Sequence, residues 1–217
     1  MPVEFIGNEP VDAVDTNSTS LSTLEGKGAA LAQSRPELPY ARLCPTSAID
    51  NLRFRERMVR LGFEGDEKAG RLWVMCKRDP LFWLNTFVWT YDPRKKRSIV
   101  PFTAYPFQGG SLVDIIHADE DLLIEKSRDM GATWICSMAF LHEWMFGSYK
   151  TFLMVSRKED LVDKADDPDC LFWKVKFAID NLPAWMRPKY KKVKLQFLNY
   201  ETNSTIDGTS TTGDAAR

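Results

Sequence analysis

One stretch sets the terms for the whole chain. The apolar run Leu122-Leu123-Ile124 passes through Glu125 into Lys126-Ser127-Arg128-Asp129-Met130-Gly131-Ala132-Thr133-Trp134. Thr133 to Phe146 then reads as a helix, with Trp134, Met138, Leu141 and Met145 at helical spacing. Strand, turn and helix in that order are the setting of a phosphate loop, whose ordinary form is G-x-x-x-x-G-K-[ST]. Backbone N–H groups cradle the phosphates, a lysine neutralises them and a hydroxyl holds magnesium. On that frame Lys126 takes the first glycine's place, Gly131 the second's, Ala132 the lysine's and Thr133 the hydroxyl's. The lysine therefore stands at the front of the loop, and the helix start turns its positive end toward a bound anion.

Composition removes several other function classes. Of 217 residues, 44% are hydrophobic and 27% charged, which is the profile of a globular protein with a real core. Basic and acidic residues number 29 and 30, so net charge gives no reason to expect nucleic acid, and any such contact must come from a local patch. Cys44, Cys76, Cys136 and Cys170 are widely separated and fit neither a metal-binding pair nor a compact disulfide framework. With only His117 and His142, a zinc site or a histidine-based triad has little to be built from. No apolar run is long enough to span a membrane, and the N-terminus lacks the basic start and apolar middle of a signal peptide. The chain is expected to act inside the cell.

The string Lys126-Ser127-Arg128-Asp129-Met130-Gly131-Ala132-Thr133-Trp134 resembles the deviant Walker A of tailed-phage terminase large subunits, the ATPases that pump DNA into capsids. Further segments agree in order and spacing from about Asp79 onward: Trp89 to Arg94, Tyr105-Pro106-Phe107-Gln108, Ser156 to Asp163, Leu182 to Met186 and Thr205 to Gly208. The resemblance implies an incomplete α/β core of P-loop NTPase type with a parallel sheet, preceded by a small helical lobe. It implies ATP and Mg2+ as ligands, with Lys126 and Arg128 catalytic, Thr133 on the metal, and Gln108 together with residues 126–133 around the nucleotide. Its expected partners are double-stranded DNA, the small terminase subunit and the portal, in a homo-oligomeric ring in the host cytoplasm. A non-catalytic nucleotide-binding or assembly module of the same fold is the alternative.

Three regions follow from the pattern: an arm over 1–45, a helical lobe over 46–100, and the partial ATPase core over 101–217. The arm is rich in Ser, Thr, Asp, Gly, Ala and Pro, and Leu24 to Ala32 is either a short helix or disordered. Ile49 to Leu61 reads as an amphipathic helix ending near Gly62, its basic face solvated. Asp66 to Arg78 is a second helix. Asp79-Pro80 offers an N-cap and a first-position proline for a third, which runs through Trp89 and is apolar almost all round. Its aromatics are either plain core or, as the resemblance implies, partly a wall for adenine. Asp92 to Arg97 is a basic turn, Gln108 lies in a proline-broken loop, and Ser111 to Ala118 is a helix or an edge strand.

Beyond the loop, Tyr149 to Ser156 reads as a buried strand, and a helix starts at Lys158 and resumes over Asp169 to Ile179. Val193 to Leu198 alternates as a strand with which Ser204 to Ser210 pairs. The alternation predicts a parallel sheet. Asp129 reads as solvated, since an anion beside a triphosphate repels it, and Thr133 serves as a helix cap, a magnesium ligand or both. Arg157-Lys158-Glu159 either senses nucleotide or is a charged helix start, and the basic run Arg187 to Lys194 is either a solvated loop or a DNA-facing one. Hydrolysis also needs a strand-end acid for magnesium and a glutamate for water. In the resembling family these follow the segment at which this sequence ends, as does the nuclease domain, so the chain as given is expected to bind nucleotide weakly and to turn it over negligibly.

Overall fold

The computed structural model describes residues 38–211. The region 1–37, with the helix expected at Leu24 to Ala32, and residues 212–217 lie outside them. Among the described residues there are six α-helices: α1 (Ala48–Phe63), α2 (Asp66–Arg78), α3 (Pro80–Phe87), α4 (Pro106–Ile116), α5 (Ala132–Phe146) and α6 (Leu171–Asp180). Strands β1 (Trp89–Tyr91) and β2 (Ile99–Pro101) form an antiparallel hairpin, its turn closed by the Asp92 N–H donating to the Ser98 carbonyl at 2.8 Å. The larger sheet holds β3 (Thr151–Ser156), β4 (Tyr190–Val193), β5 (Gln196–Asn199) and β6 (Thr205–Ser210) in the order β3-β6-β5-β4. The chain is thus a mixed α/β protein.

The helical lobe is organised by two buried polar side chains. Asp79 caps α3, accepting the Phe82 N–H at 2.8 Å, and Pro80 occupies the first turn, as the sequence pattern predicts. The other oxygen of Asp79 accepts the N–H groups of Tyr40 and Ala41 at 2.9 and 2.7 Å. One carboxylate therefore starts α3 and pins the 3-10 turn Ala41–Leu43, within the stretch read as an arm, against it. The second is Arg55. The face of α1 expected to be solvated does expose Arg53, Arg57 and Arg60, but Arg55 is only 2% exposed. Its guanidinium donates to Asn51 Oδ1 at 2.7 Å and to the carbonyls of Val88, Leu84 and Phe102 at 2.7, 3.3 and 2.9 Å. Helical charge spacing cannot tell an arginine that faces water from one that faces four acceptors.

Around these groups the core is aromatic. Phe82, Trp83 and Phe87 of α3 are buried, with Tyr40, Phe54 and Phe87 set edge-on to Phe82. Helix α5 runs through the middle: Ile135, Met138, Leu141 and Met145 are buried on it, and His142 bonds the Cys76 carbonyl at 3.0 Å through Nε2. The C-terminal end of α5 anchors the sheet, because the Trp144 carbonyl accepts both Asn199 Nδ2 at 3.0 Å and Thr202 Oγ1 at 2.9 Å.

The strand pattern needs three corrections. Leu122 to Glu125 joins neither sheet and runs exposed, with Leu123 96% accessible. An apolar trio has the composition of a strand, but a strand exists only where a neighbour completes its ladder. The Tyr149 to Ser156 segment is a strand from Thr151, yet it lies at the sheet's edge and only Met154 is buried. The sheet is mixed and not parallel: β3 and β6 are parallel, with Thr151 opposite Thr205, while β4–β5 and β5–β6 are antiparallel. Connection length explains this. The Lys194-Leu195 turn, with Leu195 at φ 58°, splits the run read as one strand, and the links from β4 to β5 and from β5 to β6 are too short for a parallel crossover, whereas the path from β3 to β6 contains α6.

Gly62, in the last turn of α1, lies under the Trp185 indole, where an added Cβ would come within 2.2 Å of the ring. Glycine to alanine in a helix ordinarily stabilises by about 1 kcal/mol. Here overpacking reverses the sign: Gly62→Ala is expected to destabilise the protein by about 1–3 kcal/mol in urea unfolding. A variant as stable as wild type would mean that Trp185 is not held in this contact.

Candidate phosphate-binding site

The loop over 126–131 leads into α5 through two left-handed residues, Asp129 at φ 62° and Gly131 at φ 74°. Gly131 is the N-cap of α5, and a Cβ there would lie 2.7 Å from Gln108 Nε2, so both its dihedral and its neighbour call for glycine. No side chain caps this helix. Its first N–H groups have no intrahelical acceptor and carry the positive end of the helix dipole.

Gln108 is not in a loop. It occupies the first turn of α4, with Gly109 and Gly110 following inside the helix. Its Oε1 accepts the Tyr105 N–H at 3.0 Å, and its Nε2 donates to the Met130 carbonyl at 3.1 Å. The buried amide thus closes the N-terminal turn of α4 and ties the phosphate-loop candidate to it.

In front of the loop opens a cavity of about 790 Å³. The hairpin turn after β1 lines one side with Asp92, Arg94 and Lys95, the loop lines another with Lys126, Arg128 and Asp129, and α6 and the residues before it add Lys174 and Asp169. Five cations thus face three carboxylates, and one of these, Asp92, is already taken by Arg94 at 3.0 Å, whose hydrogen bonds hold it below the usual carboxylate range. Lys126 and Arg128 are exposed and form no ion pair among the described residues. Such a surplus of positive charge beside an uncapped helix start favours a multivalent anion.

Of the residues singled out from sequence, Gln108, Lys126, Arg128, Asp129, Gly131, Ala132 and Thr133 line this cavity. Met130 lines a smaller one of about 160 Å³ that shares Gln108, Lys126 and Ala132 with it, and Ser127 lines neither. The α3 aromatics are core and form no part of the wall. Arg157 and Lys158 also lie outside it, and Glu159 pairs instead with Lys194 at 2.6 Å. In the basic run, Lys192 pairs with Asp163 at 2.8 Å and Arg187 Nε donates to the Leu182 carbonyl at 2.8 Å, so part of that charge is structural. Lys174 is the residue the sequence reading passed over. A signal was present, since it shares the apolar stripe of α6 with Leu171, Val175 and Ala178.

The fit to magnesium rests on Thr133, which opens α5 and is exposed to the cavity. Among the described residues no group of three or more His, Cys, Asp or Glu side chains is placed to hold a metal. A lone hydroxyl suits an ion that takes its remaining ligands from phosphate and water.

No protein-family model matches the chain, and a search of curated proteins finds no similar one. The site is therefore read from its own chemistry.

Loss of the Gln108 amide removes the tether to Met130. Gln108→Ala is expected to raise hydrogen exchange of the amides over 129–132 about fivefold, the equivalent of about 1 kcal/mol for one such bond. Unchanged exchange would show that the tether contributes nothing to loop order.

Proposed function

We propose that this chain binds the polyphosphate of ATP in the cavity between the 92–98 turn and the 126–133 loop, as the ATP-binding portion of a DNA-packaging terminase large subunit. The observation that carries the nucleotide reading is the excess of cations around the uncapped, glycine-started N-terminus of α5. Lys126 supplies from the front of the loop the charge that Ala132 lacks at its end, and Arg128 adds a second cation on the same wall. The N–H groups at the start of α5 donate to no side-chain cap and can meet phosphate oxygens. Thr133 is the residue of this chain that would hold a magnesium ion brought by the nucleotide, and the ion would supply screening of the phosphate charge.

The terminase part of the proposal rests on the motif series from Asp79 to Gly208. The expected partners, double-stranded DNA, the small terminase subunit and a portal, belong to the same proposal, as does assembly into a ring. No helix among the described residues is long and apolar enough to cross a membrane.

Titration calorimetry with ATP tests the displaced lysine. Lys126→Ala is expected to weaken binding by about 1–3 kcal/mol, the size of a lost charge-assisted contact. Lys158→Ala, which alters an exposed cation outside the cavity, is expected to leave affinity unchanged. Equal binding by wild type and Lys126→Ala would overturn the assignment.

A further inference from the structure

Lys174 is held in a way that packing alone does not explain. It is 8% exposed, lies on the buried stripe of α6, and lines the same cavity as Lys126 and Arg128. Its Nζ donates to the Pro168 carbonyl at 2.7 Å and to the Cys170 carbonyl at 3.3 Å. An ammonium group has three donors, and no other acceptor among the described residues takes the third. Nor does a carboxylate come within ion-pair distance. Asp167 is engaged by Lys164 at 3.0 Å, and Asp169, although it lines the cavity, is not paired with Lys174.

We infer that Lys174 is a phosphate-binding residue, a cation presented from α6 whose counter-ion is the polyphosphate of the nucleotide. This rests on the reading of the cavity as a nucleotide site and extends that site to a helix the loop motif does not include. Burying an ammonium group costs free energy unless charge and hydrogen bonds compensate, and two carbonyls compensate only in part. Burial accordingly pushes the Lys174 pKa down, with Asp169 opposing. A polyphosphate in the cavity supplies both the missing acceptor and the missing charge, so Lys174 gains from the ligand more than an exposed lysine does. The phosphates of a nucleic acid carry the same chemistry, but a cavity with a recessed cation fits a compact, highly charged chain end better than a duplex backbone.

The test is calorimetric titration of wild type, Lys174→Met and Lys174→Arg with ATP, with inorganic tripolyphosphate and with a short DNA duplex, the folding of each variant being checked by circular dichroism. Lys174→Met is expected to lose about tenfold in affinity for ATP and for tripolyphosphate alike, and Lys174→Arg to recover to within about threefold of wild type, because a role confined to capping the Pro168 and Cys170 carbonyls would not track ligand charge. Duplex affinity is expected to be unchanged. A readout independent of variant folding is the Lys174 ammonium 15N resonance of the wild-type protein, assigned with Lys174→Arg, which is expected to shift on saturation with tripolyphosphate. A folded Lys174→Met that binds both ligands as wild type does, a resonance that stays in place, or a loss confined to the duplex would each overturn the inference. If Lys126→Ala loses tripolyphosphate binding while Lys174→Met keeps it, the inference fails and the cavity reading stands. If wild type binds neither ATP nor tripolyphosphate, both fail.

Discussion

The buried guanidinium of Arg55 is the constraint on which the rest of the described structure depends. It gathers the carbonyls of Leu84 and Val88, at the end of α3, and of Phe102, just past β2, and it lies 5.4 Å from the centre of the Trp89 ring. A buried carbonyl oxygen left without a donor costs about 1–3 kcal/mol, and of these acceptors the Val88 carbonyl also takes the Phe102 N–H at 3.1 Å. Burial pushes the pKa of Arg55 down to about 9, which still leaves it charged at neutral pH. Asn51 supports it from the preceding turn of α1 and itself donates to the carbonyls of Pro45 and Asn85 at 3.2 Å each. One side chain and its helper thus fix where the β1–β2 hairpin stands, and the turn of that hairpin is a wall of the cavity.

From there a chain of single hydrogen bonds reaches the loop. Asn85 Oδ1 accepts the Ala104 N–H at 2.8 Å, setting the approach to α4. Gln108, one turn into α4, holds Met130, and Gly131 admits that contact because it has no Cβ. The loop is therefore positioned from the helical lobe and α4, without a paired strand in front of it. Each bond contributes about 1 kcal/mol, enough to bias the loop and too little to freeze it.

What the sequence disclosed is what local patterns encode. Asp66 to Arg78 and the Asp79-Pro80 cap are legible because capping chemistry and helical period lie within a few residues of each other. Helix α5 follows from its apolar spacing in the same way. Strand pairing is not local, and for that reason Leu122 to Ile124 looked like a strand and is none, and the short links among β4, β5 and β6 outweighed the expectation of a parallel sheet. Arg55 was hidden for a third reason: a cation on a helix looks the same in sequence whether its acceptors are water or distant carbonyls, whereas Lys174 stood on the apolar stripe of α6 and was legible there. Within the loop, Lys126, Arg128 and Gly131 were singled out by their phosphate-loop spacing and do line one cavity, whereas the wall formed by Arg94 and Lys95 is contributed by folding alone.

The most direct test of the nucleotide site is a crystal structure of the chain soaked with magnesium and a non-hydrolysable ATP analogue. The triphosphate is expected between the 92–98 turn and the start of α5, with Lys126 and Arg128 on its oxygens and Thr133 on the side of the metal. An analogue bound at another surface, or a cavity with no phosphate density at saturating concentration, would contradict the reading.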